Sequence, residues 1–142
     1  MKLKVSSVKD FRNVPKGWAM VVFAPTDGSI THGDMSLITD GTDIYQKLKP
    51  AFKKKRIKVG NCIRFVRHNN PRYLLFMREK DSVYPKFEEL EDQVSRSLIS
   101  FKRKVQEKKI CIVCSHGVGE TVGVLLPEIF EKTNHIIVLR GM

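Results

Sequence analysis

The stretch of this chain best suited to chemistry is Ser115-His116-Gly117-Val118-Gly119-Glu120-Thr121. It follows the β-branched run Ile110-Cys111-Ile112-Val113 and Cys114. It precedes Val122, Leu125, Leu126, Ile129 and Phe130, which are spaced as one face of a helix. Strand, glycine loop and helix in that order bring two things to the loop: backbone N–H groups without an internal partner, and the positive end of a helix dipole. Glycines at 117 and 119 permit positive φ and a close backbone approach. Such a corner suits phosphate or pyrophosphate. Any such ligand is held by backbone, because the loop lacks both the Lys-Ser/Thr spacing of a P-loop and the third glycine of the dinucleotide fingerprint. The same spacing also serves as a plain α/β turn, so both readings stand at this level.

Acid–base candidates cluster around the same loop. His116 and Glu120 flank it, where a base activates water, and Asp27, Asp34, His32 and Lys80 are further candidates. Each has a structural rival: a histidine beside a glycine turn is commonly a hydrogen-bonded loop residue, and Glu120 complements the helix dipole. A carboxylate there also repels diphosphate. The three cysteines, Cys62, Cys111 and Cys114, each lie in an apolar, strand-like run. Their odd number and burial point to reduced thiols in an intracellular protein, and the CxxC pair has no second pair to complete a zinc site. Neither metal nor cofactor is expected.

These groups need a scaffold, and 142 residues with 42% apolar content supply one core, read as a single domain over residues 1–142. The balance of 26 Lys and Arg against 15 Asp and Glu gives +11, with a pI near 9.8, and points to an anionic partner. The cations concentrate in Lys53, Lys54, Lys55, Arg56 and Lys58, a candidate nucleic-acid surface whose rival is a solvated face. No apolar run approaches the roughly 20 residues of a membrane span. A monomer in the cytoplasm or nucleus, without a membrane partner, is expected.

Periodicity predicts strands over Leu3 to Val8, Trp18 to Ala24, Asn61 to His68, Arg72 to Arg78, Ile110 to Cys114 and His135 to Arg140. A turn at Asn69-Asn70-Pro71 joins the third and fourth as an antiparallel pair. Helices are predicted through Ile44, Leu48, Ala51 and Phe52, with a kink at Pro50, and from Pro85 along the stripe Phe87, Leu90, Val94, Leu98, Phe101 and Val105. Pro25 to Gly41 reads as a long loop. The order implies an α/β fold, a three-layer α/β/α sandwich with a mixed central sheet, and a ligand cleft between the loops after the second and fifth strands.

On these residues the chain resembles a macrodomain, the ADP-ribose-binding module, and more narrowly the branch that includes the terminal ADP-ribose protein glycohydrolase. The resemblance rests on Tyr73-Leu74-Leu75-Phe76, on Tyr84-Pro85-Lys86-Phe87-Glu88-Glu89-Leu90 beside that branch's "KPTYENL"-like helix start, and on Gly117-Val118-Gly119 beside its Gly-Cys-Gly phosphate loop. Val8-Lys9-Asp10-Phe11 stands where the family has Gly-Asp-Leu-Phe, and Ala51-Phe52-Lys53-Lys54-Lys55 resembles its Phe-Lys-Lys-Lys. The resemblance implies that Asp10 accepts from the adenine amine and that Phe11 and the residues around Phe23 wall the adenine. It implies that Pro25, Thr26 and Asp27 border the first diphosphate loop and that Ser115 to Thr121 make the second. The family's Gly-Ala-Gly loop is replaced by Ile30 to Gly41. The branch's catalytic lysine and aspartate fall on Arg78 and Thr121, which supply neither a deprotonated amine nor a carboxylate. The implied function is binding of ADP-ribose, a related nucleotide, poly-ADP-ribose or RNA without efficient hydrolysis. One alternative is an ADP-ribosyl hydrolase or ADP-ribose phosphate phosphatase using His116 or Asp27. The other is a nucleic-acid or protein-interaction domain with a degenerate pocket.

Overall fold

A computed structural model describes residues 1–6, 14–27, 44–67, 70–77, 87–114 and 118–140. These form β1 (Lys2–Ser6), β2 (Ala19–Pro25), α1 (Ile44–Lys53), β3 (Cys62–Arg67), β4 (Asn70–Met77), α2 (Phe87–Lys104), β5 (Lys109–Val113), α3 (Gly119–Ile129) and β6 (Ile136–Arg140). The strands make one sheet in the order β1-β6-β5-β2-β4-β3. All neighbours are parallel except β3, which closes one edge antiparallel to β4.

Side-chain alternation along the strands builds two cores. Ala19, Val21, Tyr73, Leu75, Ile110, Ile112, Ile137 and Leu139 point to one face, where Val94, Leu98 and Phe101 of α2 and Val122, Leu125 and Leu126 of α3 cover them. Met20, Val22, Leu74, Phe76, Cys111 and Val113 point to the other, against Phe52 and Leu48 of α1. Because β4 is covered on both faces, its Tyr73-Leu74-Leu75-Phe76-Met77 run is buried without alternation. The expected three-layer α/β/α sandwich with a mixed sheet is therefore present.

Some boundaries differ from the periodicity. Asn70 and Pro71, expected in a turn, open β4, and Pro71 faces Val66 of β3. A proline is tolerated there because pairing with β2 begins one residue later, at Met20 with Arg72. Helix α1 continues through Pro50, whose carbonyl accepts from Lys54 N–H at 3.1 Å. Trp18 precedes β2 rather than opening it, and its ring lies 5.8 Å from Lys109 Nζ. Pro25, expected to open the long loop, closes β2 in register with Met77, so the strand runs one residue further than periodicity implied. Helix α2 stops at Lys104, yet Val105 N–H still bonds Phe101 C=O at 2.8 Å, so the stripe ends as expected.

Beyond α3 the chain turns over Phe130, whose buried ring meets the edge of His135 at 5.4 Å and 87°. Burial, with the nearby positive charges of the chain's amino group and Lys102, pulls the His135 imidazole below its ordinary value. The unfolded chain therefore takes up this proton first. The contribution is complete above about pH 6.5 and is lost as pH falls below it. Thermal unfolding at pH 7.5 and pH 5 should show a smaller acid loss of Tm in His135→Phe than in the parent; equal losses would assign the effect to other groups.

Candidate functional site

The connections leave β2 and β5, which are neighbours, in opposite directions. Strand β2 leads through α1 and β3 to β4, and β5 leads through α3 to β6, on opposite faces and toward opposite edges. The carboxyl ends of β2 and β5 are therefore a topological switch point, the place where ligands bind in open α/β sheets, and the space outside them is called the β2/β5 crevice below.

Its walls are uneven. Strand β5 pairs with β2 only as far as Val113 with Val22, whereas β2 continues through Phe23, Ala24 and Pro25 paired with β4. The paired part of β2 thus extends about 10 Å beyond its last pair with β5. No strand pairs with that side of it among the described residues. Thr26 N–H ties the start of the next loop to Met77 C=O at 2.9 Å, and Cys114 N–H ties the exit of β5 to Arg140 C=O at 3.0 Å. Opposite the overhang, α3 begins at Gly119 after Val118, which has helical φ and ψ of −90° and −35° and gives no side-chain cap. The first N–H groups of α3 therefore open on the carboxyl end of the sheet without a capping side chain among the described residues.

Within that first turn Thr121 is 3% exposed, and its hydroxyl has no hydrogen-bond partner among the described residues. A buried hydroxyl in this state is uncommon and costs roughly 1–3 kcal/mol. Glu120, its neighbour, is exposed.

Pro25 at the end of β2, Thr26 and Asp27 after it, and Val118, Gly119, Glu120 and Thr121 after β5 are thus brought to one end of the sheet. Asp10, Phe11, Ser115, His116 and Gly117 lie outside the described residues, as do Arg78, Lys80, His32 and Asp34. Gly119 corrects one expectation. It is the buried first residue of α3, and the positive-φ glycines among the described residues are Gly17 and Gly60. The helix starts early because Val118 is already helical. Phe23 packs toward the α2 and α3 side. Lys53 to Lys58 lie at and just beyond the end of α1.

Two features escape sequence reasoning. Thr121 reads in sequence only as the absence of a carboxylate, because an orphaned hydroxyl is visible only once every neighbouring donor and acceptor is placed. A polar knot at the other end of the sheet is the second. There Tyr73 Oη donates to Glu107 Oε1 at 2.6 Å and accepts from Arg64 Nε at 3.1 Å and Gln106 N–H at 3.2 Å. The one signal for it is a tyrosine inside an otherwise apolar strand.

All three thiols are free and buried, and at two of them burial disfavours the thiolate. Burial pushes Cys62 up to about 11 against the opposing charge of Lys104, and burial likewise raises Cys111. No group of three His, Cys, Asp or Glu able to hold a metal occurs among the described residues. No described helix is long and apolar enough to cross a membrane.

No family model matches the sequence, and no curated protein matches it. Solved structures do match. The macrodomain of Mycobacterium tuberculosis DarG superposes with a TM-score of 0.74 and 14% identity over 99% of this chain and 97% of that one. The macrodomain of Thermus aquaticus DarG gives 0.72 and 14% over the same shares, and a macrodomain protein from Streptomyces coelicolor gives 0.71 and 10% over 98% and 99%. The chain has the macrodomain fold.

Proposed function

We propose that the β2/β5 crevice binds ADP-ribose or a related nucleotide, free or at the end of a polymer such as poly-ADP-ribose, without efficient hydrolysis. The observation that carries this reading is the first turn of α3 at the switch point, which has no side-chain cap and holds a Thr121 hydroxyl with no partner among the described residues. Backbone N–H groups and a helix dipole favour a diphosphate there, and a buried hydroxyl lacking a partner is ready to donate to one. The macrodomain likeness supports the choice of ligand. Weak turnover follows from residue chemistry, because Thr121 offers no carboxylate where the resembled branch has its aspartate and Arg78 no titratable amine. Asp10 and Phe11 are assigned to adenine, and Ser115, His116 and Gly117 to the diphosphate, on the resemblance.

Isothermal titration calorimetry with ADP-ribose, beside an assay for release of ADP-ribose from a modified protein, tests both halves. Saturable heat with negligible release is expected. Absence of heat would remove the ligand assignment, and rapid release abolished in His116→Ala or Asp27→Ala would replace binding by hydrolysis. Glu120 bears on the same titration, since its carboxylate shares the first turn of α3 with the anion. Glu120→Gln should tighten ADP-ribose by roughly threefold at low salt, for removal of a charge interaction of about 0.6 kcal/mol. Weaker binding would mean that Glu120 contacts the ligand as an acceptor.

A further inference from the structure

Helix α1 ends in a left-handed turn at a residue that is not glycine. Arg56 N–H bonds Ala51 C=O at 2.9 Å, and Lys55 N–H bonds Phe52 C=O at 3.0 Å. This is the pairing of a Schellman cap with Lys55 at the left-handed position. Lys55 has φ +54° and is the one non-glycine with positive φ among the described residues. Glycine is the usual occupant, because a Cβ is strained there. Strain held at a particular side chain is an observation from which function is inferred.

The charged side chains of the cap itself are all cations. Lys53, Lys54, Lys55, Arg56 and Lys58 are all exposed, and none of the five forms an ion pair or a side-chain hydrogen bond among the described residues. From Ile44 to Met77 the sequence holds ten Lys and Arg and no Asp or Glu, so no carboxylate of α1, β3 or β4 offsets them. The dipole of α1 accounts for a cation or two in its last turn, not for five that repel one another. Phe52, the aromatic side chain within this cap, is buried against Phe76 at 5.9 Å. Hence the cap presents no ring on which bases could stack, and its apolar residue, Ile57, packs partly buried against the α1 core.

We infer that the α1 cap, Lys53 to Lys58 around the strained Lys55, is a docking site for the phosphate backbone of a nucleic-acid duplex, separate from the β2/β5 crevice. Backbone contacts by flexible cations are independent of sequence and strongly dependent on salt. The site lies near the carboxyl end of β4, since Gly60 N–H bonds Phe76 C=O at 2.9 Å. One strand, β4, separates it from β2.

Fluorescence anisotropy of a labelled 20-base-pair DNA duplex, from 50 to 200 mM salt, tests this in the full chain. Neutralisation of five phosphates predicts that affinity falls roughly 10²- to 10³-fold over that range. Lys53→Ser, Lys54→Ser and Arg56→Ser combined should flatten the slope by about 2.7, near 0.9 for each phosphate left without its cation. Lys55→Gly separates function from folding. It should raise Tm by roughly 3 °C as the strain is relieved, yet weaken the duplex severalfold. Parent-like binding and slope in both variants would overturn the assignment. So would binding to phosphatidylserine vesicles but not to the duplex, or binding to a polyglutamate peptide as tight as to the duplex. ADP-ribose calorimetry on the triple variant should match the parent, so a failed crevice and a failed cap give different results.

Discussion

Thr121→Val is expected to raise the stability of the free protein by about 1 kcal/mol while lowering its affinity for ADP-ribose roughly tenfold. The two effects share one cause. The Thr121 hydroxyl is buried in the first turn of α3 without a partner among the described residues, so the fold bears its desolvation unrewarded. Valine keeps the shape and branching, and its helix propensity is close to that of threonine, so little else changes. A hydrogen bond from that hydroxyl to a charged oxygen is worth about 1.5 kcal/mol, or a little over tenfold in affinity. Gly119→Glu acts more bluntly. It places a carboxylate at the first helical residue, where the dipole draws a ligand anion, and should reduce binding at least a hundredfold. Thermal unfolding and calorimetry on the two variants read both signs. Lower stability with unchanged affinity in Thr121→Val would show that the hydroxyl serves the fold.

The fold was legible because burial writes periodicity. The stripe Leu90, Val94, Leu98, Phe101 and Val105 gave α2, and the β-branched run at Ile110 gave β5, since a helix on a sheet must repeat its apolar residues at the helical step. Pro71 misled because proline is a turn signal in sequence, whereas its cost in a strand depends on whether a neighbour needs its N–H. Gly119 misled similarly. A glycine before a helix reads as loop, but Val118 already turns as helix, so Gly119 belongs to α3. Thr121 and Lys55 were illegible for a deeper reason: an orphaned hydroxyl and a left-handed lysine are properties of where neighbours lie, which composition does not encode. The basic run itself was plain in sequence. What the structure adds is that one of its members occupies a position where glycine fits better.

The largest stability effect is expected far from the crevice. Tyr73→Phe should lower stability by about 2–3 kcal/mol, a fall in Tm of roughly 6–10 °C for a chain of this size. Tyr73 is fully buried, packs edge-on against Phe101 at 5.0 Å, and its hydroxyl serves three partners. Burial, then the Glu107 carboxylate that it faces, raises the phenol above its ordinary value, so it remains a donor at neutral pH. Phenylalanine keeps the ring packing but strands the Gln106 N–H and leaves Glu107, with 13% of its side chain exposed, held by Arg64 alone at 3.4 Å. Arg64 lies on β3, the antiparallel edge strand, and Gln106 lies between α2 and β5, so this one hydroxyl joins the sheet edge to the helical layer. Hydrogen exchange should therefore quicken first in β3, which Lys104 Nζ still ties to α2 through Cys62 C=O at 2.6 Å. Glu107→Gln should cost less than half as much, because an amide oxygen still accepts from Tyr73. The crevice lies beyond the opposite end of β4, past Met77, so ADP-ribose affinity should stay within about twofold of the parent at a temperature where the variant is folded. A stability loss below about 0.5 kcal/mol would mean that water replaces the hydroxyl without penalty, and the knot would then be a surface feature rather than a tie between layers.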